Sequence, residues 1–272
     1  MKEKRLIVVR GGGDLATGTI HRLWSAGFDV LVLETDAPAA IRRQVSACEA
    51  VYSGETTVEG MKTMRISDPG EIRDVLSNGD VPLLIDPEGN SIATLRPIVV
   101  IDAIMAKQNL GTTRDMAPVT IALGPGFEAG VDVDYVIETK RGHDLGRIIE
   151  KGSAVPNSGI PGNIGGYTKE RVMKSPAAGV FSAAASIGQI VAAGETIAEV
   201  ITDGGEKVPV QTEISGILRG ILKDGYCVTP GFKVADVDPR QEELKNCFTI
   251  SDKARCIAGS VLELCVRACR EE

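Results

Sequence analysis

The feature that most constrains this chain is the passage from an apolar run, Leu6-Ile7-Val8-Val9, through Arg10 into Gly11-Gly12-Gly13-Asp14-Leu15-Ala16-Thr17-Gly18. A short buried strand, a glycine turn and apolar residues at helical spacing (Ala16, Ile20, Leu23) make the opening of a βαβ unit. Read as G-x-G-x-x-A, the set is Gly11, Gly13 and Ala16. The first glycine permits a tight turn, the second lets phosphate approach the backbone, and the small third residue lets helix and strand pack closely. Amide N–H groups at the helix start, that of Gly12 nearby, would face an anion. A second apolar run, Val30-Leu31-Val32-Leu33, ends in Glu34, 21 residues after Gly13. Dinucleotide sites place there the carboxylate that binds the ribose 2′-OH. Asp14 is expected as the helix N-cap. Its charge beside an anion site leaves open a metal-bridged phosphate or a ligand other than a plain dinucleotide. Glycine turns also serve doubly wound folds that bind nothing at this point.

A chain of 272 residues with 43% hydrophobic content can bury the core of one or two domains. The formal net charge of -7 argues against a nucleic-acid surface, which needs a basic stripe. No run of 18 apolar residues occurs, and Met1-Lys2-Glu3-Lys4-Arg5 leads into a strand too short for a signal-peptide core. The expectation is a cytoplasmic protein with no membrane partner. Six cysteines in a chain this long do not make a disulfide scaffold. Four crowd the C-terminus (Cys247, Cys256, Cys265, Cys269) at spacings that match no common zinc or iron–sulfur pattern, so no metal site is expected. That segment reads as an amphipathic helix with Ala254, Ile257, Ala258, Val261, Leu264, Cys265 and Ala268 on one face, its thiols serving as small core residues.

Further along the first half, Arg42 and Arg43 follow the second strand, where they suit either a ligand phosphate or a solvated helix face. Asp68-Pro69-Gly70-Glu71 has the form of a capping box. Strands at Val81–Ile85 and 97–101 run into Asp86 and Asp102, either site carboxylates or turn and cap residues. Val119–Leu123 ends in Gly124-Pro125-Gly126, a second glycine loop able to turn N–H groups toward an anion. A strand at 133–137 leads through Glu138 into Thr139-Lys140-Arg141-Gly142-His143-Asp144-Leu145-Gly146-Arg147. Arg141 and Arg147 suit an anionic group, and His143 beside Asp144 could exchange protons near neutral pH; the other reading is a charged surface turn.

The glycine- and proline-rich stretch 152–166 marks a boundary, after which short strand-like pieces are punctuated by glycine. This second part repeats internally. Gly179, Gly188, Val191, Gly194, Ile197 and Val200 recur 37 residues later as Gly216, Gly225, Val228, Gly231, Val234 and Val237. Two such halves predict a small quasi-symmetric β-sandwich.

Residues 172–238 resemble the biotinyl/lipoyl-like hammerhead family. Carrier members hold a lysine flanked by methionines on the hairpin joining the halves, and here Asp203-Gly204-Gly205-Glu206-Lys207-Val208 has no such methionines. The fold is expected without biotin or lipoate. Four strings, Arg10 to Gly18, Leu123-Gly124-Pro125-Gly126-Phe127, Ile137 to Arg147, and Gly159-Ile160-Pro161-Gly162, give the whole chain its resemblance to accessory proteins of selenium-dependent molybdenum hydroxylase systems, the YqeB family. That resemblance implies help in making or inserting a molybdenum cofactor with labile selenium, and the hydroxylase or its cofactor-assembly proteins as partners. The expected architecture is α/β: a Rossmann-like parallel-sheet domain over 1–166, a hammerhead-type β domain over 167–240, and a helical segment over 241–272. The expected ligand is a phosphate-bearing nucleotide, NAD(P)-like, or a molybdopterin-type cofactor. An NAD(P)-dependent oxidoreductase using His143 and a non-enzymatic adaptor docking a client enzyme are the alternatives, and self-association stays open.

Overall fold

The computed structural model describes residues 6–270; the charged opening Met1 to Arg5 lies outside them. Two compact units emerge. The first runs to Pro38, resumes over Ser46–Ser158 and takes back the chain from Ile250 on; the second comprises Ala39–Val45 and Gly159–Thr249.

The first unit contains, in chain order, β1 (Leu6–Arg10), α1 (Asp14–Ser25), β2 (Asp29–Glu34), α2 (Ala50–Ser53), β3 (Glu55–Val58) and β4 (Met61–Ile66). There follow α3 (Ile72–Ser77), β5 (Val81–Ile85), α4 (Ile92–Leu95), β6 (Val99–Asp102), β7 (Val119–Leu123), β8 (Glu128–Ala129), β9 (Tyr135–Ile137), β10 (Ile148–Ile149) and β11 (Gly152–Ser153). Nine strands form one sheet in the order β10-β9-β7-β6-β1-β2-β5-β4-β3. The seven from β9 to β4 pair in parallel, and hairpins close each edge with an antiparallel strand. Apolar runs buried on both sides dictate this arrangement, since only a sheet covered on both faces hides every residue of such a run. Within β1, Ile7 and Val9 enter the core that also holds Ile20 and Leu23 of α1, while Val8 joins Ile72 and Ile92 on the opposite face.

The strand order reverses between β1 and β6. The chain moves outward from β1 through β2 toward β5 and β4, then returns to build β6, β7 and β9 on the other side. The two carboxyl ends at that reversal are Arg10-Gly11 and Asp102-Ala103, and Ala103 N donates to Arg10 O at 2.8 Å. Asp68 forms the expected capping box with Glu71.

The C-terminal α5 (Asp252–Ala268) lies against α1, with Ile257, Val261, Leu264 and Cys265 in the sheet's own core. The expected 241–272 segment is therefore divided at Thr249/Ile250: its helix completes the first unit because its apolar face fills that core. The other boundary, Ser158/Gly159, falls inside the glycine- and proline-rich stretch.

The second unit contains β12 (Val172–Lys174), β13 (Gly179–Ala183), β14 (Ile190–Val191), β15 (Thr196–Ile201), β16 (Lys207–Gln211), β17 (Gly216–Ile221), β18 (Cys227–Val228) and β19 (Lys233–Asp238). They make two four-stranded antiparallel sheets, β12-β19-β17-β14 and β16-β15-β13-β18, enclosing a core that includes Phe181, Val200, Leu218 and Val237. The 37-residue offset carries β13, β14 and β15 onto β17, β18 and β19, and β12 onto the last three residues of β16. Each sheet thus draws strands from both halves, in equivalent order. Gly179 and Gly216 show why the repeat keeps glycine: a Cβ there would overlap the carbonyl oxygens of Ile201 and Asp238, themselves 37 residues apart. Residues 39–45 join this unit through Ile41, whose carbonyl accepts from Ile221 N at 2.9 Å. Lys207 opens β16 beyond its hairpin turn and pairs with Glu199 at 3.3 Å. Among the described residues no helix is long and apolar enough to cross a membrane.

The α1–α5 seam generates a prediction. A Cβ on Gly18 would lie 2.6 Å from the Cβ of Ala254, so Gly18→Val should lower stability by about 1–3 kcal/mol through overpacking, read as a reduced midpoint in urea denaturation.

Candidate functional site

The glycine loop between β1 and α1 sits at the sheet's reversal point and is held from three directions. Gly11, at φ +97°, leaves no room for a side chain against Ala103 and Ile104 at the end of β6. Its N–H donates to Leu33 O at 2.8 Å. Gly12 abuts Cys48, whose N–H donates to Gly12 O at 2.9 Å. The hydroxyl of Thr17 donates to Gly13 O at 2.8 Å and accepts from Ala47 N at 2.8 Å. Ala16 is buried and lets α1 pack on the sheet.

Gly13 differs from its neighbours: a Cβ there would meet nothing within 4 Å. It is also the N-cap of α1, with extended backbone and no side chain capping the helix. This corrects the expectation for Asp14, which lies one residue inside the helix because the turn closes on Gly13. Asp14 thus adds its charge to the first turn and leaves the cap to backbone.

Glu34 ends β2 beside this loop. One carboxylate oxygen accepts from Gly12 N at 2.8 Å and the other from Thr35 N at 2.7 Å. Burial raises its pKa, and the two amide donors pull it back. Each oxygen accepts one amide, so each retains a lone pair for a further donor. Behind the loop, the Cys48 thiol is pushed well up by burial and by the carboxylates of Glu34, Glu49 and Asp14, which keeps it a neutral core group.

Sequence reasoning passed over Arg10, a charged residue only 1% exposed at the end of β1. Its register partner on β6 is Asp102. Arg10 donates to the Thr112 hydroxyl at 2.5 Å and to Pro87 O at 2.8 Å, and the Thr112 hydroxyl in turn donates a hydrogen bond to Asp102 at 2.6 Å. Asp102 also accepts from Ile104 N at 3.2 Å. Burial raises the Asp102 pKa, opposed by Thr112, Ile104 and Arg10. The available signal was a cation directly after four consecutive apolar residues, which, once buried, has to find an acid on an adjoining strand. Asp86 serves the turn into α4, accepting from Asn90 N and Ser91 N. Arg42 works within the second unit, donating to Asn246 O and Thr249 O.

The segment after β9 is tied to α5. Glu138 is buried and accepts from Lys140 N and Val155 N. Arg141 makes a two-pronged pair with Asp252, both contacts 2.8 Å, and holds that carboxyl far below the usual range. Ser260 donates to Gly146 O. His143 and Asp144 lie on an exposed turn, where Asp144 accepts from Arg147 Nε at 2.7 Å. Gly124 and Gly126 permit close packing: a Cβ would lie 2.6 Å from the Thr139 hydroxyl in one case and 2.6 Å from Gln108 N in the other.

Lys253, in the first turn of α5, joins these parts and was not singled out in the sequence. Burial and Arg141 lower its pKa, while Asp14, Glu138 and Asp252 raise it. Its ammonium therefore shares one electrostatic environment with the start of α1 and the end of β9. The structure brings Gly11, Gly12, Gly13, Asp14 and Glu34 together, and links Arg141 to them through α5. Among the described residues no group of three or more His, Cys, Asp or Glu is arranged to hold a metal ion.

Arg10→Met should cost about 3 kcal/mol by leaving Asp102 buried without its cation, and Asp102→Asn in that background should recover part of the loss in urea denaturation. The Asp252 pKa is depressed in the folded state, so its pair stabilises above the unfolded carboxylate range and is lost as pH falls below about 4. With both side chains half or more exposed, the loss should stay within about 1 kcal/mol. Asp252→Asn should remove that part of the acid dependence, measured as ΔG of unfolding between pH 6 and pH 2.

No protein-family model matches the chain. Solved structures that are similar to it include an aspartoacylase family protein from Mesorhizobium loti (11% identity, TM-score 0.27, covering 81% of this chain and 60% of that one). Another is the apo ectoine utilization protein EutE (DoeB) from Ruegeria pomeroyi (11% identity, TM-score 0.28, covering 85% of both chains). TM-scores at this level do not establish a common fold. The sequence comparison is far stronger: the chain is a homologue of the uncharacterized protein YqeB of Escherichia coli (strain K12), 46% identical over 259 residues, which is 95% of this chain and 47% of that one, so it spans about half the length of that relative.

Proposed function

We propose that this chain belongs to the YqeB family and acts as an accessory or maturation protein of a selenium-dependent molybdenum hydroxylase system, holding a phosphate-bearing nucleotide or a molybdopterin-type cofactor at the Gly11 to Gly18 loop. The observation that carries the binding part is position. The loop lies at the carboxyl ends of β1 and β6, where the strand order reverses, and open α/β sheets collect ligands at that crevice. The residues present suit a phosphate group. The start of α1 has no side-chain cap, the space over Gly13 is open, and Lys253 offsets the charge of Asp14. The lone pairs left on Glu34 suit a diol such as a ribose. The selenium and molybdenum part rests on the sequence strings around Gly11, Gly124, His143 and Gly159 that resemble that family, with the hydroxylase or its cofactor-assembly proteins as partners in the cytoplasm.

The place of Glu34 also favours a nicotinamide dinucleotide, and with it an NAD(P)-dependent oxidoreductase. That reading needs a proton-transfer group at the reacting carbon. His143 and Asp144 stand on an exposed turn with Asp144 already engaged by Arg147, which favours the accessory role over catalysis.

The test is native mass spectrometry of the protein purified from cells that make the hydroxylase, followed by calorimetry with ADP, NAD and the released ligand. A pterin or nucleotide mass is expected on the wild type. Gly13→Asp should weaken binding at least about tenfold by placing a carboxylate where the phosphate sits, with the thermal midpoint nearly unchanged because the position is open. Equal affinity of wild type and variant would move the site elsewhere, and NAD-dependent turnover lost in His143→Ala would favour the oxidoreductase.

A further inference from the structure

We propose that the second unit carries a small-molecule site of its own, a cavity of about 570 Å³ between β12 and β16 that takes an organic anion with an apolar body. The proposal is independent of any ligand at the Gly11 loop.

The cavity is built by the internal repeat. β12 and β16 are edge strands of their respective sheets, and the 37-residue offset carries one onto the other. The lining follows that relation. Met173 and its repeat partner Val210, 4% and 3% exposed, form the apolar floor. The rim breaks the symmetry: Lys174 corresponds in the repeat to Gln211, Pro176 to Glu213, and Lys169 is added from the connecting segment. Different charges around an apolar floor give a directional cavity between two repeat-related strands.

Unspent charge marks this cavity as a site. Among the described residues the head groups of Lys174 and Glu213 enter no hydrogen bond or ion pair, and Lys169 acts on the carboxylate of its sequence neighbour Glu170. Two ammonium groups against one carboxylate select an anion, and the floor selects an apolar body. The volume lies within the range of small-ligand pockets, roughly 300–1,000 Å³.

The same strands argue against an added peptide strand. Pro209 removes an N–H from β16, and β12 shifts register between Met173 and Lys174. Proline and bulges blunt an edge against β-pairing, so recognition here is by side chains.

The test uses the full chain with 8-anilinonaphthalene-1-sulfonate, an apolar aromatic sulfonate. Saturable one-site fluorescence enhancement is expected, together with a shift of the Met173 methyl resonance. Lys169→Glu and Lys174→Glu should each weaken binding about fivefold, and Glu213→Lys should tighten it by a similar factor. All three positions are exposed, so unchanged thermal midpoints are expected. Gly13→Asp should leave the probe's affinity unchanged. Absence of saturable binding, equal affinity across the three charge variants, an unmoved Met173 methyl, or loss of binding in Gly13→Asp would each overturn the assignment.

Discussion

A parallel sheet has to bury both faces, and in this protein one face is completed only when the C-terminal helix returns to it. α1 covers part of the layer formed by Ile7, Val9, Val32 and Ile101, and α5 supplies Ile257, Val261 and Leu264 to the same core. Each such side chain contributes about 1.5–3 kcal/mol when fully buried, so the last helix is integral to the first unit. The two helices come close because Gly18 has no side chain where Ala254 packs. The same docking sets Asp252 against Arg141 and places Lys253 beside the charges at the start of α1. The surroundings of the candidate site therefore depend on a packing event between residues about 240 positions apart.

Within that frame the glycine loop is rigid. Backbone bonds from Gly11 and Cys48, the Thr17 hydroxyl and the Glu34 carboxylate fix three successive glycines, while the buried Arg10, Thr112 and Asp102 relay ties the ends of β1 and β6 beneath it. A loop held in this way has its backbone conformation fixed by the fold itself, so a group meeting it would face little ordering cost.

The second unit solves another problem, building a closed core from short strands. Duplication supplies two equivalent halves, and exchange of strands between the sheets gives each half the partners it lacks. The glycines that recur mark places where a carbonyl crowds the backbone or a turn needs positive φ, as at Gly188 and Gly225. Where the two edge strands face one another the repeat encloses space, and there its side chains diverge.

Much of the fold was legible in the sequence because it follows from local rules. Apolar runs specified most parallel strands, the Asp68 box specified a helix start, the 37-residue offset specified a two-fold set of β pieces, and the stripe from Ala254 to Cys265 specified the buried face of α5. For the candidate site, the sequence determined the glycine turn and the carboxylate at the end of β2. Only the tertiary structure decided that Gly13 caps α1, that Gly124 and Gly126 meet neighbouring chain, that Arg141 is paired with Asp252, that Arg10 is buried beside Thr112, and that Lys253 shares the surroundings of Asp14. The physical reason is that strand and turn formation depend on neighbours a few residues away, whereas the partner of a charge depends on which distant segments the core brings together.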